Sequence, residues 1–209
     1  MITIDNLRPL LASLGYEQTK GLTEVWTRSF DASSSEIAVD FGCEAICYPE
    51  DLKIHRKTTT NFSQPENFVV LECVTRLLSL GYAPRQLELE KPTPKGHGES
   101  GGHCDIIIQN NEGEVFALVE CKTMDSTKSG DEFSRAWSYM EEDGGQLFNY
   151  FNTFRQATAL CLYASDWVEG RCVYQSRIVS IQDNEGYIQA SGLPGYASVE
   201  AKKGGKESY

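Results

Sequence analysis

Residues 103 to 121 hold two short apolar runs, HCDIIIQ and EVFALVEC, with NNEG between them. Runs of this length bounded by turn formers read as buried strands, and a short glycine-containing connection joins two of them into a hairpin. The spacing predicts strands over 103–109 and from about 114 to 121. Strands that are apolar at successive positions must be covered on both faces, which confines the chain to an α/β architecture with helices on both sides of a sheet. Three charged side chains conflict with that burial. Asp105 opens the first run, and Glu120 and Lys122 close the second. An uncompensated carboxylate in a buried strand costs several kcal/mol, so these residues need partners or a metal.

Side chains alternate along a strand, so Glu120 and Lys122 share a face, about 6.6–6.8 Å apart, while Cys121 faces the other way. The hairpin can set Asp105 beside Glu120. Two carboxylates and an ammonium would then share a small pocket, and hard oxygen ligands of this kind suit Mg2+ that keeps several waters, with Mn2+ as a substitute. The chemistry that uses such a set is metal-assisted phosphodiester hydrolysis. Asp105 and Glu120 would hold the cation, with the Cys121 backbone carbonyl as a further ligand. Lys122 would orient or deprotonate the attacking water, or neutralise charge on the phosphate. The competing reading is an ordinary salt bridge at the strand ends.

Around this hairpin the chain alternates in type. A helix is expected from about Asp5 to Leu14, with Asp5 as N-cap and Gly15 as its stop. TEVWTRSF and EIAVDFGCEAICYP read as a β-hairpin, and residues 51 to 64 as a polar, Thr-rich loop. A helix opened by Pro65 and closed by Gly81 is apolar around most of its circumference. Residues 86 to 92 fit a strand, and TPKGHGESGG a loop at the mouth of the pocket, with Lys95 as a phosphate contact and His97 and His103 flanking it. No helix follows this loop directly, so it is not a P-loop. EFSRAWSYMEEDGGQLFNYFNTFRQ is helical with a break at Gly144 and Gly145, and ATALCLYAS and GRCVYQSRIVSI are strands. The boundaries expected are an extension over 1–64, a core over 65–190 and a tail over 191–209.

Asp105, fourteen residues, then Glu120-Cys121-Lys122 resembles the PD-(D/E)xK nuclease signature, with His103-Cys104 where the proline would stand. QLFNY supplies Gln146 and Tyr150, similar to the QxxxY motif of RecB-like nucleases and of type I restriction R subunits. At i and i+4 the two lie on one helical face, within reach of a common phosphate or water. Together with FVVLECVTRLL, DGGQLFNY and LYASDW, the pattern looks closest to the N-terminal nuclease domain of type I restriction R subunits, or of related fused restriction–methylation proteins. The resemblance covers roughly residues 65 to 180. It implies a restriction-endonuclease-like core, with a central mixed sheet flanked by helices and extended by the N-terminal helix and hairpin. It also implies a glutamate from the preceding helix, for which Glu72 is preferred and Glu66, suited to the helix dipole, is the rival.

A net charge of −11 is unlike proteins that grip nucleic acid unaided. The resemblance accounts for it if double-stranded DNA is delivered by translocase, methylase or specificity components. His55, Arg56 and Lys57 are the only compact basic cluster ahead of the core, able to touch a DNA backbone or simply solvated. Seven cysteines without a CxxC pair read as reduced thiols. No stretch approaches the roughly 18–20 apolar residues of a membrane span, and the N-terminus lacks a signal pattern, so a cytoplasmic location is expected. Two alternatives accompany the endonuclease reading: an end-processing or repair exonuclease of the same superfamily, and a non-catalytic assembly module.

Overall fold

The computed structural model describes residues 1–30, 35–93, 102–126, 130–143, 145–184, 202–203 and 207–208. The chain opens with α1 (Ile4–Ser13), whose N-cap is Thr3 and not Asp5. The Thr3 backbone N–H donates to Asn6 Oδ1 at 2.8 Å, and Asp5 sits within the first turn, where a carboxylate favours the helix dipole. Gly15, at φ +80°, turns the chain out of the helix as expected.

Four strands follow, β1 (Glu17–Gln18), β2 (Val25–Phe30), β3 (Ser35–Asp40) and β4 (Ala45–Cys47), and they form an antiparallel sheet in chain order. The expected hairpin is β2 and β3. Its second arm is two strands, because the chain reverses between Asp40 and Ala45, with Glu44 at φ +51°. Within the polar stretch 51–64 lies a short strand, β5 (Lys53–Ile54), that composition did not reveal.

Helix α2 (Glu66–Ser79) begins after Pro65 and ends before Gly81, which has φ +96°. Every residue from Asn67 to Thr75 is buried, as its all-round apolar pattern requires. The larger sheet then forms from β6 (Leu87–Pro92), β7 (His103–Gln109), β8 (Val115–Thr123), β9 (Ala159–Val168) and β10 (Arg171–Ser180). Its order is β10-β9-β8-β7-β6-β5, with β5–β6 and β8–β9 parallel and the other pairs antiparallel. The β8-to-β9 crossover carries α3 (Glu132–Asp143) and α4 (Gly145–Thr153), and Gly145, at φ +54°, stands at the predicted break.

The fold is α/β with a central mixed sheet covered on both faces. On one side α1, α2 and the small sheet share a core with Leu89, Ile106, Val119 and Cys121. On the other, Phe148 and Phe151 of α4 pack on Ile107, Leu118, Leu160 and Leu162. The central strands β7, β8 and β9 are therefore apolar at successive positions. Among the described residues no helix is long and apolar enough to cross a membrane. Lys95 and His97 lie outside the described residues, as does most of the expected tail, of which Lys202–Lys203 and Glu207–Ser208 pair with β10.

Candidate active site

The β7–β8 register places Ile106 opposite Val119 and Ile107 opposite Leu118. One step further brings Asp105 level with Glu120, as the hairpin predicts. There Asp105 takes over a ladder position: its Oδ2 accepts from the Cys121 backbone N–H at 2.7 Å. In an extended strand a residue's N–H and C=O lie on the same edge, so the Cys121 carbonyl also faces β7. Glu120 and Lys122 share a face as expected, with Lys122 Nζ 2.6 Å from Glu120 Oε1 and 3.6 Å from Glu66 Oε2. Glu120 Oε2 is buried and has no hydrogen-bond partner among the described residues.

Helix α4 closes the site from the β7 side. The Tyr150 hydroxyl donates to the His103 carbonyl at 2.7 Å and also stands beside Glu120. Gln146 Nε2 reaches the same hydroxyl at 3.4 Å. This approach depends on Gly102, where a Cβ would come to 2.9 Å from Tyr150 Cε1. Asp105, Glu120, Lys122, Gln146 and Tyr150 thus line one cavity of about 330 Å³. A larger recess of about 610 Å³ adjoins it through Glu120, Lys122 and Gln146.

Glu72 is not among these residues, and the sequence preference for it over Glu66 is corrected. Its carboxylate is wholly buried, accepting from Arg76 Nη2 at 2.6 Å and from the Tyr163 hydroxyl at 2.5 Å. Six residues separate the two glutamates on α2, about 9 Å of rise and two-thirds of a turn beyond a full one, so only one can face the site. Glu66 lines the cavity beside Lys122. Sequence reading also missed Glu90, which lines the same cavity, is 8% exposed and adopts φ +54°. A left-handed conformation at such a residue costs on the order of 1 kcal/mol and concentrates at functional sites. The available signal was ELEKP, another acid inside a strand run.

Burial dominates the electrostatics. It pushes the Glu120 carboxyl up to about 7, with Lys122 pulling the other way. Burial and the neighbouring Glu120 raise Asp105 well above the usual carboxylate range. Burial disfavours charge on Lys122 too, but Glu120, Glu66 and Asp105 outweigh it and hold the ammonium protonated. Two carboxylates that resist ionisation, one with an orphaned oxygen, fit a hard divalent cation, which would favour their charged forms. Among the described residues no three His, Cys, Asp or Glu side chains form a closed cluster. Asp105 and Glu120 are the two carboxylates that the β7–β8 hairpin brings together here.

A pH dependence follows. Protons compete with a cation for a carboxylate whose pKa is raised, so if Glu120 holds magnesium the affinity is expected to fall about tenfold per pH unit below about 7 and to level off above it. Calorimetry in buffers of different ionisation enthalpy measures both the affinity and the proton release. The metal-free protein shows the converse linkage. A carboxyl lifted from 4.5 to about 7 contributes stability below 4.5 that is lost as pH rises through 7. An affinity that is flat between about pH 5 and 8 removes Glu120 from the ligand set.

Residues 65–160 match the family described as type I restriction enzyme R protein N terminus. No curated protein matches the chain. The matched stretch runs from the start of α2 into β9 and contains Glu66, Asp105, Glu120, Lys122, Gln146 and Tyr150. Over it, the likeness to the N-terminal domain of type I restriction R subunits holds.

Proposed function

We propose that this chain is a divalent-metal-dependent endonuclease domain that hydrolyses DNA phosphodiester bonds within a type I-like restriction–modification system. The observation that carries the reading is one cavity shared by Asp105, Glu120, Lys122, Gln146 and Tyr150, in which Glu120 Oε2 has no hydrogen-bond partner among the described residues. Asp105, Glu120 and the Cys121 carbonyl would hold Mg2+, or Mn2+ in its place. When bound, the cation supplies Lewis acidity and a more acidic water.

The chain's own residues do the rest. The protonated Lys122 acts as a cation toward a phosphate oxygen, because its carboxylate neighbours oppose its service as a base. Gln146 and Tyr150 present an amide and a hydroxyl to the same oxygen or to the attacking water. Glu66 holds Lys122 from the α2 side. Burial of the carboxylates keeps bulk water from screening these interactions. Double-stranded DNA would be presented by translocase and methylase or specificity components, consistent with a net charge of −11.

The test is a calorimetric titration of magnesium and manganese into wild type, Asp105→Ala and Glu120→Ala, with supercoiled-plasmid nicking in manganese on the same samples. Binding by wild type that disappears in both variants is the expected result. If wild type binds no divalent ion and the variants differ from it only in stability, the three residues are a structural salt bridge and the reading fails.

A further inference from the structure

We propose that residues 56–64 form a wall that binds the nucleic-acid sugar–phosphate backbone beside the cleavage cavity. The inference rests on the nuclease reading of that cavity but concerns residues outside the family match, which begins at 65.

Composition sets this segment apart. No acidic residue occurs between Asp51 and Glu66, although the chain holds 30, and Lys53, His55, Arg56 and Lys57 fall inside the gap. The segment then offers neutral hydroxyls and amides, of which Thr58, Thr59, Asn61, Ser63 and Gln64 line the cavity that also holds Asp105 and Glu120. Donors and cations without carboxylates are what a phosphodiester backbone requires, and such contacts carry no base information. Thr59 is the pointed case. It is 3% exposed, it lines the cavity, and its Oγ1 has no hydrogen-bond partner among the described residues.

The wall is held in place in advance of any ligand. Phe62 is packed edge-on between Phe41 and Phe68, with ring centroids 5.4 Å from each. Asn67, in the first turn of α2, donates through Nδ2 to the carbonyls of Thr58 and Asn61, each at 2.9 Å. The Ile46 backbone N–H donates to the Thr60 carbonyl at 3.0 Å. Arg56 Nη1 lies 3.3 Å and 3.2 Å from the two ring nitrogens of His103, which ties the guanidinium to that ring. The His103 carbonyl in turn accepts from Tyr150. Arg56 and Lys57 are both exposed and stand at the rim of the cavity wall. A backbone bound here meets a preformed surface and carries little ordering cost.

The experiment measures binding of a short labelled DNA duplex of arbitrary sequence to the full chain at several salt concentrations. Calcium is present as the divalent ion, and wild type is compared with an R56A/K57A double variant and with Thr59→Val. Thermal melts confirm that each variant is folded. The double variant is expected to bind on the order of tenfold more weakly, with a slope of log affinity against log salt smaller by about two, equally on unrelated sequences. Thr59→Val is expected to weaken binding several-fold with no change in slope. Unchanged affinity and slope in the double variant, or no duplex binding by wild type at low salt, overturns the wall. Calorimetric calcium binding on the same proteins keeps the two readings separate. Loss of DNA binding with the cation still bound tests the wall alone, whereas DNA binding through Arg56 and Lys57 in a protein that binds no cation retires the nuclease reading and leaves the wall standing.

Discussion

Lys122→Ala is expected to lower manganese-supported nicking by roughly a thousandfold while cation binding at Asp105 and Glu120 stays within about tenfold of wild type. Lys122 Nζ is the one ammonium paired with both Glu120 and Glu66 in the structure, at 2.6 Å and 3.6 Å. Its loss removes the positive charge available to a phosphate oxygen and leaves the oxygen ligands in place. In the metal-free protein the same substitution strands buried carboxylate charge, so Glu120 takes up its proton at still higher pH. Added magnesium then releases more protons than from wild type, which calorimetry reads directly. Nicking by Lys122→Ala at the wild-type rate would show that the lysine only balances charge in the resting protein.

Arg76→Ala is expected to cost 3–5 kcal/mol of stability, about the largest effect available from a single side chain outside the apolar core. Arg76 donates to Glu72 Oε1 through Nη2 and to the Tyr163 hydroxyl through Nε at 2.8 Å, and it lies 3.5 Å over the ring centroid of Tyr174. Tyr163 closes the triangle on Glu72 Oε2. Removing the guanidinium leaves a fully buried carboxylate without its counter-charge, whereas Glu72→Gln retains a hydrogen-bonding group and is expected to cost about 1 kcal/mol. Chemical denaturation measures both. Cleavage per folded molecule should be unchanged in Glu72→Gln, and a large loss there without a loss of stability would return Glu72 to the site.

The two outcomes for α2 show where sequence reasoning stopped. Burial of an acid within FVVLECV was legible, and it signalled that Glu72 needs a partner. One partner, Arg76, stands at i+4 on the same helix and was a local signal passed over, whereas Tyr163 lies 91 residues away on β9, beyond any local rule. The β7–β8 hairpin was readable for the opposite reason. Period-two alternation and a four-residue turn fix which side chains coincide, so Asp105, Glu120 and Lys122 were placed by local rules alone. Gln146 and Tyr150 were singled out by their likeness to the QxxxY motif, and helical spacing added only that the two share a face. The stretch 56–64 read only as a polar loop, since what makes it a wall is anchoring by Phe41, Phe68 and Asn67, all distant or on another element. Glu90 escaped because strand periodicity presumes ordinary backbone angles, and its φ of +54° breaks that alternation.

The strand order has a consequence for control. Glu120 and Lys122 stand on β8, which is laddered on both sides, to β7 and to β9. The interior of a sheet is the part of a fold that opens last, so the carboxylates keep their arrangement through the ordinary breathing of the molecule. Were such a domain to be switched by its partners, the switch would not rebuild the floor of the site. It would act as a turnstile, governing when a strand of DNA is admitted to chemistry that is always assembled.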